Sequence, residues 1–127
     1  MSSPVKYKPL SDDICEPKAT SRGTEIYAPE DVYLKANIPV IIKSKISMSF
    51  DNCYCAIITH PEYRTLGGLI DSDYRGDVGV IFCTAKDIFI KKGELLGLVT
   101  VLKIEHPIFT ENSDSFGIKT SEVSIGK

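Results

Sequence analysis

The most informative segment of the chain reads Gly67-Gly68-Leu69-Ile70-Asp71-Ser72-Asp73-Tyr74-Arg75-Gly76-Asp77-Val78-Gly79-Val80-Ile81. Two apolar runs, at residues 69–70 and 78–83, flank a polar loop that contains a glycine. A loop of this kind between two apolar runs predicts a β-hairpin. The glycines on either side of the loop allow the backbone to bend tightly or a ligand to approach it closely.

Asp71 is the candidate catalytic residue in this segment, because it follows four uncharged residues at the end of the first run. A carboxylate in this position can act as a general base when a reacting water lies within hydrogen-bond reach. The pattern alone favours a simpler interpretation, in which Asp71 bonds to the backbone of its own turn. Both interpretations stay open at this point.

The rest of the chain also favours strands over helices. It contains 16 Ile and 8 Val against 8 Leu, a bias towards β-branched residues. Residues 40–50 alternate between apolar and polar side chains, which predicts one half-buried strand, and residues 53–58 predict a central strand that is apolar on both faces. Helical periodicity is hard to find, so a chain of 127 residues is expected to form one all-β domain, a sandwich or a closed barrel.

Composition excludes several classes of function. The formal net charge is −2, which argues against nonspecific binding to nucleic acid, since such binding rests on clustered positive charge. The sequence has neither an apolar run of transmembrane length nor a signal-peptide core, so we expect no membrane association and a cytoplasmic location. The four cysteines are therefore interpreted as free thiols, and no metal site is predicted on the protein.

Residues 67–81 strongly resemble the third signature motif of the trimeric dUTP diphosphatases, or dUTPases, which has the form Gly-(Val/Leu)-Ile-Asp-x-Asp-Tyr-Arg-Gly-x-(Val/Ile)-Gly-Val. Three weaker likenesses accompany it, and they lie at residues 23–27, 44–54 and 91–94. The resemblance implies a jelly-roll-like β-barrel over residues 1–110, assembled as a homotrimer. Residues 111–127 would then form a C-terminal arm, mobile or swapped onto a neighbouring subunit. Because viruses often carry divergent copies of such families, a viral source is expected.

The resemblance also implies an activity and a set of site residues. The family hydrolyses dUTP to dUMP and pyrophosphate with Mg2+. Asp71 would activate the attacking water, and Tyr74 would pack under the deoxyribose. The backbones of Gly68, Ile70 and Gly79 would read the uracil edge, where a Cβ on either glycine would hold the base away. A uracil deoxynucleotide is therefore the expected ligand.

The parts of the family pattern that grip phosphate are altered in this chain. The Arg-Ser-Gly of the second motif is replaced by residues 59–65, Leu98 stands in place of a Gln, and Glu111 stands in place of the Arg of the C-terminal arm. Loss of a single positioned donor often costs ~100–1,000-fold in rate. The sequence therefore favours an impaired enzyme that acts by binding a protein partner or a uracil nucleotide. The alternative is a divergent active dUTP diphosphatase, in which other residues replace the lost groups (Arg64, Thr65, Lys119 and Thr120).

Overall fold

The computed structural model describes residues 5–114 and contains ten strands and no helix over that range. None of these residues forms a helix suited to crossing a bilayer. The strands in chain order are β1 (Lys6–Pro9), β2 (Lys18–Thr20), β3 (Gly23–Tyr27), β4 (Val32–Leu34), β5 (Val40–Lys43), β6 (Ile46–Ser49), β7 (Tyr54–Thr59), β8 (Gly79–Phe82), β9 (Ile88–Ile90) and β10 (Leu95–Lys103).

All six strand pairs are antiparallel, and they form four separate sheets within the described residues. The largest sheet has four strands in the order β2-β3-β10-β7, and the other ladders are the pairs β1-β6, β4-β9 and β5-β8. The nine-residue β10 is the central strand, because it pairs with β3 along one edge and with β7 along the other. The all-β, jelly-roll-like architecture predicted from the sequence is confirmed, although the ladders do not join into one closed barrel.

The core lies between these ladders and is built from the inward positions of the alternating strands. Its largest fully buried apolar side chains belong to Leu34, Val78, Val80, Phe82 and Leu96, all below 2% exposed. Val80 and Phe82 lie on β8, Val78 leads into that strand, Leu34 lies on β4 and Leu96 lies on β10. Ile46 and Met48 of β6 belong to the same buried cluster, so its burial holds the four sheets together.

The alternating segment at residues 40–50 forms two strands, and the prediction of one continuous strand was wrong. The backbone turns at Ser44 and Lys45, where Lys45 has a φ of 61° in the left-handed region. The fully buried Ser44 hydroxyl accepts the Ile46 N–H at 3.2 Å, and the Asp77 carboxylate accepts the Lys45 N–H at 2.7 Å. These two side-chain acceptors satisfy the amides that a continuous ladder would otherwise use, so β5 and β6 pair with different partners.

A concavity with a volume of about 680 Å³ opens where the β1-β6 ladder diverges from the four-stranded sheet. Its walls are mainly apolar and include Tyr7, Ile26, Met48, Tyr54 and Val101. The described chain continues past β10 without regular secondary structure, and Ile108 and Phe109 in this segment are 92% and 91% exposed. An apolar concavity and an uncovered apolar tail therefore occur in the same chain.

Gly97 is the glycine on which packing of the central sheet depends most strongly. A Cβ at this position would lie 2.6 Å from Ile58 Cγ2 and 3.2 Å from the Thr59 carbonyl oxygen. We expect Gly97→Ala to lower the free energy of unfolding by about 1–3 kcal/mol, the usual cost of overpacking a core.

The measurement is chemical denaturation of the Gly97→Ala variant beside Gly68→Ala. The control is matched because a Cβ on Gly68 would meet nothing within 4 Å. Its unfolding free energy is expected to stay equal or rise by about 0.4–1 kcal/mol. Equal stability of the two variants would contradict the packing role of Gly97.

Candidate functional site

The segment predicted to be a hairpin is paired only at its base. Thr65 bridges to Phe82, the Leu66 N–H donates to the Ile81 carbonyl at 2.8 Å, and the Cys83 N–H donates to the Arg64 carbonyl at 3.1 Å. Past Leu66 these cross-strand bonds stop among the described residues. The two arms of the hairpin therefore start as a ladder and then separate.

The arms separate because each finds another partner. Ile70 exchanges two hydrogen bonds with Ala56 of β7, at 2.8 and 3.0 Å, whereas β8 pairs with β5. Between the arms lies a cavity of about 160 Å³. It is lined by Ile58, Leu66, Gly68, Leu69, Ile70, Gly79, Val80 and Ile81, and we call it the slot. This volume is below the ~300–1,000 Å³ typical of pockets for drug-sized ligands, so the slot suits one small ring.

The peptide groups of the second arm face the slot at Gly79. Continuing the register from the bridge of Thr65 with Phe82 sets Gly68 opposite Gly79. Alternate residues of a strand turn their peptide groups to opposite sides. The Ile81 carbonyl accepts from Leu66 and the Val78 carbonyl accepts from Ser44 of the other neighbour, so the peptide groups of Gly79 turn towards the first arm. No backbone bond fills the gap between these two glycines within residues 5–114.

The two glycines of the slot are needed for different reasons. A Cβ on Gly79 would lie 2.8 Å from Ile41 Cγ2, so a neighbouring strand's side chain requires a glycine there. A Cβ on Gly68 would point into open space. The expectation that both Cβ positions are kept free for a base therefore lacks support from the packing at Gly79.

Ile70 contributes to the slot mainly through its side chain and its position. The N–H and the carbonyl oxygen of Ile70 both bond to Ala56, so the N–H is not available to a ligand. Its carbonyl oxygen keeps a second lone pair. Of the three backbones predicted to read a base, those of Gly68 and Gly79 are the ones with unpaired groups at the gap.

Asp71 and Tyr74 lie in the turn beyond the slot and do not line it. The Tyr74 N–H donates to the Asp71 carbonyl at 3.1 Å, which closes a turn over residues 71–74. The Asp71 carboxylate is exposed and accepts no hydrogen bond from another described residue, so the interpretation in which it bonds its own turn is not what the structure has. The Tyr74 ring folds over Gly76, and its hydroxyl donates to the Asp77 carbonyl at 3.1 Å.

Asp77 anchors the second arm, and sequence reasoning did not single it out. Its carboxylate accepts the N–H of the left-handed Lys45 at 2.7 Å, and nearby the Ser47 hydroxyl donates to the Arg75 carbonyl at 2.8 Å. The next residue, Val78, donates its N–H to the Ile46 carbonyl at 2.9 Å. The turn is thus fixed to the break between β5 and β6, a contact across 32 residues of sequence.

The loop that replaces the second family motif is organised around His60. Its Nδ1 accepts the Glu62 N–H at 3.0 Å and the Tyr63 N–H at 3.3 Å, and its Nε2 lies 3.3 Å from the Leu95 carbonyl oxygen. The imidazole stacks on Tyr63 and meets Phe82 edge-on. Burial lowers the pKa of His60. No local pattern in the sequence marks this arrangement.

Two further positions bear on metal and phosphate binding. The Glu25 carboxylate accepts hydrogen bonds from the Tyr27 hydroxyl at 2.8 Å and from Arg22 Nη2 at 3.2 Å. The Tyr27 and Arg22 hydrogen bonds hold the pKa of that carboxyl below its usual value. Leu98 is buried in the core. The described part of the chain brings no three His, Cys, Asp or Glu side chains together.

The fold and the slot together define the class of this protein. It is an antiparallel all-β protein in which one hairpin opens into a small cavity edged by unpaired peptide groups. The family follows from comparison of the sequence: the sequence model of the dUTPase family matches residues 11–126, and the chain belongs to that family.

Viral proteins are among the relatives of this chain. It is 28% identical over 123 residues to the deoxyuridine 5′-triphosphate nucleotidohydrolase of Swinepox virus (strain Kasza), with 87% of each chain covered. It is also 28% identical over 103 residues to the protein of the same name from Yaba monkey tumor virus (strain VR587), covering 74% of this chain and 72% of the relative.

Solved structures agree on the fold. A mutant dUTPase from phage phi11 of S. aureus superposes with a TM-score of 0.79 at 16% identity, covering 87% of this chain and 97% of that one. A mutant dUTPase from Staphylococcus bacteriophage 80alpha, solved with dUpNHpp, gives a TM-score of 0.77 at 16% identity and covers 92% of each chain. At this level of identity the likeness establishes the fold.

Removing the Asp77 carboxylate tests how the slot is anchored. We expect Asp77→Ala to lower the free energy of unfolding by about 1.5–3 kcal/mol, because the Lys45 N–H loses a charged acceptor and its backbone is left in the left-handed region. Asp77→Asn keeps an acceptor oxygen and should lose less. Thermal and chemical unfolding of both variants provide the measurement, and an Asn variant as unstable as the Ala variant would contradict this role.

Proposed function

We propose that this protein hydrolyses dUTP to dUMP and pyrophosphate, with the uracil ring in the slot. The observation that carries the proposal is the cavity of about 160 Å³ between the two arms, where the backbone groups of Gly68 and Gly79 have no backbone partner among the described residues. Membership of the dUTPase family and the 28% identical poxvirus relatives named as nucleotidohydrolases support turnover rather than binding alone.

The slot suits uracil on chemical grounds. One edge of the uracil ring alternates carbonyl acceptors with an N–H donor, which complements the N–H and C=O groups of two facing peptide strands. The walls are otherwise apolar, with Ile58 and Val80 buried beneath the ring position. Hydrogen-bond pairing of this kind rejects rings with a different donor order, because the peptide groups would be left unpaired.

Asp71 is proposed as the general base. Its carboxylate is exposed and free of protein partners among the described residues, one position beyond the end of the slot. It would take a proton from water while the water oxygen bonds to the α-phosphorus. The bond to the bridging oxygen then breaks and pyrophosphate leaves. Tyr74, in the same turn, is placed to pack against the deoxyribose once its ring leaves Gly76.

Mg2+ is proposed to arrive with the substrate. Magnesium commonly keeps several waters and is held by substrate phosphates together with one or two carboxylates. That mode fits a chain whose described residues offer the exposed carboxylate of Asp71 beside the slot and no cluster of three potential metal ligands. The bound ion would neutralise charge on the triphosphate.

The proposed enzyme and a second candidate function differ in whether the chain can hold the phosphates of the nucleotide. Arg64 is exposed at the base of the slot hairpin, where it is available to replace one of the lost phosphate contacts. Lys119 and Thr120 lie outside the described residues. The second candidate is a uracil-nucleotide binding protein without turnover. It is favoured by the burial of Leu98, which offers phosphate no donor, and by the exposed Glu62 in the replaced loop.

Pyrophosphate release from dUTP and Mg2+ tests the proposal. The wild-type protein is expected to turn over, and Asp71→Asn should lower kcat by ~100–10,000-fold, the range for loss of a general base. Asp73→Asn is the matched control, since it removes the same charge from an exposed position two residues away. It should keep most of the activity.

Calorimetry with dUMP separates the two candidates. Binding of dUMP without any release of pyrophosphate from dUTP would favour the binding protein over the enzyme. Equal losses in the Asp71 and Asp73 variants would contradict the assignment of the base. Absence of both binding and turnover would reject the uracil slot.

We also propose a homotrimer in which the chain beyond residue 110 packs on a neighbouring subunit. The apolar concavity of about 680 Å³ and the uncovered Ile108 and Phe109 support contact between copies. Residues 115–127, including Phe116 and Gly117 of the arm motif, lie outside the described residues.

The four free cysteines support the expected reducing, cytoplasmic environment, and a protein partner remains a proposal of the binding-protein candidate.

Light scattering after size exclusion tests the assembly. The wild-type protein should have three times the mass of one 14.0 kDa chain. Replacing both Ile108 and Phe109 by Ser should shift the mass towards the monomer. The control replaces Tyr33 and Phe89, an exposed cross-strand pair on the β4-β9 ladder, by Ser and should remain a trimer. A monomeric wild-type protein would contradict the proposal.

A further inference from the structure

His60 is held by contacts that assign different roles to its two ring nitrogens. Nδ1 receives two backbone N–H groups, from Glu62 at 3.0 Å and Tyr63 at 3.3 Å, so it acts as an acceptor. Nε2 lies 3.3 Å from the Leu95 carbonyl oxygen on β10, so it acts as a donor. This is the pattern of a neutral imidazole with its proton on Nε2.

Protonation of His60 is incompatible with these contacts. The imidazolium ion carries a hydrogen on both nitrogens, so an Nδ1–H would point at two N–H donors. The ring cannot turn over to relieve this, because it is stacked on Tyr63 at 4.6 Å between centroids and meets Phe82 at 5.9 Å. A proton on Nδ1 must therefore displace the loop or the ring.

The His60 loop leads directly into one wall of the slot. Three residues after Tyr63, Leu66 lines the slot and donates its N–H to Ile81, which lines the opposite arm. Between them the Arg64 carbonyl accepts from Cys83, next to the Phe82 that the imidazole touches. Displacement of the loop would disturb the bonds at the base of the hairpin, which set the distance between the two arms.

The groups around His60 keep it neutral at ordinary pH. Burial lowers its pKa as the largest effect, and Arg22, in the turn between β2 and β3, lowers it further. The Leu95 carbonyl on β10 and the Glu62 carboxylate on the same loop act in the opposite direction. From β8 the facing group is the uncharged Phe82. The folded loop therefore binds a proton less readily than an exposed histidine does.

We propose that His60 is a positioning residue for the slot, which holds the Leu66 wall in place when neutral and releases it when protonated. The inference rests on the proposed function for the identity of the ligand. Only the neutral form of His60 holds the Leu66 wall in place. The affinity for the ligand is therefore highest at pH values above the pKa of His60, and it falls as the pH drops through that pKa. The wall is thus a proton-sensitive part of an otherwise apolar site.

The probe is 2′-deoxyuridine, which carries no phosphate that titrates in the same range. Its Kd for the wild-type protein is measured by calorimetry at about pH 7.5 and at a second pH about one unit below the titration of the His60 ring, which NMR of the same protein locates. We expect binding to weaken by ~10-fold at the lower pH, which corresponds to one pKa unit of coupling. Thermal unfolding at both pH values verifies that the protein stays folded.

Two variants sharpen the comparison. His60→Asn retains a side-chain oxygen that can accept the Glu62 N–H in an Asx turn but cannot titrate. It should bind deoxyuridine about as well as the wild type near pH 7.5 and show no weakening at low pH. His106→Asn removes the other histidine, which is exposed and lies 3.3 Å from the Asn52 carbonyl, and should keep the wild-type pH dependence.

A pH-independent wild type, or equal weakening in the His60→Asn protein, would overturn the proposal. NMR titration of the unliganded wild type gives a reading that needs neither variant nor ligand. The amides of Leu66 and Gly68 should shift with the titration of the His60 ring, and their failure to do so would also overturn it. If deoxyuridine binds at neither pH while these amides do shift, the proposed function fails and the coupling of His60 to the slot stands.

Discussion

The pair of hydrogen bonds between Ile70 and Ala56 is the constraint on which the site depends. Without it the arm that begins at Leu66 would continue along β8, and the ladder would close over the gap between Gly68 and Gly79. Ala56 is completely buried in β7, whose other edge is held by β10. The slot is therefore a missing section of a sheet, kept open because each of its edges is bonded elsewhere. A ligand that supplies the absent donors and acceptors completes that sheet.

In the proposed function, recognition of the base by the slot depends little on side chains. The groups that face the gap belong to the peptide backbone, and backbone position is fixed by packing around Val80, Ile58 and Gly97. The phosphate end of a nucleotide must be held by side chains, and the sequence predicts that the chain differs from the family pattern there, at residues 59–65 and Leu98. Recognition of the ring and grip on the charged tail can thus diverge independently.

Much of the fold could be predicted from local pattern, whereas the details of the site could not. Alternation of apolar and polar residues identified strands near 40–50 and 53–58, and one family motif indicated the region that contains the slot. The break at Lys45 was missed because it depends on Asp77, 32 residues away, and alternation alone cannot reveal such a partner. The role of His60 was missed for a similar reason, since its carbonyl partner lies on β10. The separation of the hairpin's two arms was not predicted, because nothing in its own sequence shows that Ile70 pairs with Ala56.

The position of β10 in the sheet has a consequence for folding of the chain during its synthesis on the ribosome. The strand runs from Leu95 to Lys103, yet it is the one that joins β3, at Gly23–Tyr27, to β7. Most of the polypeptide must be synthesised before these two edges acquire their shared neighbour, and closing so large a loop makes such topologies slow to fold. Until then β3 and β7 present unsatisfied edges to whatever is nearby. The nascent chain is consequently exposed to aggregation for nearly the whole of its translation, and shielding by a chaperone during that interval would increase the yield of native protein.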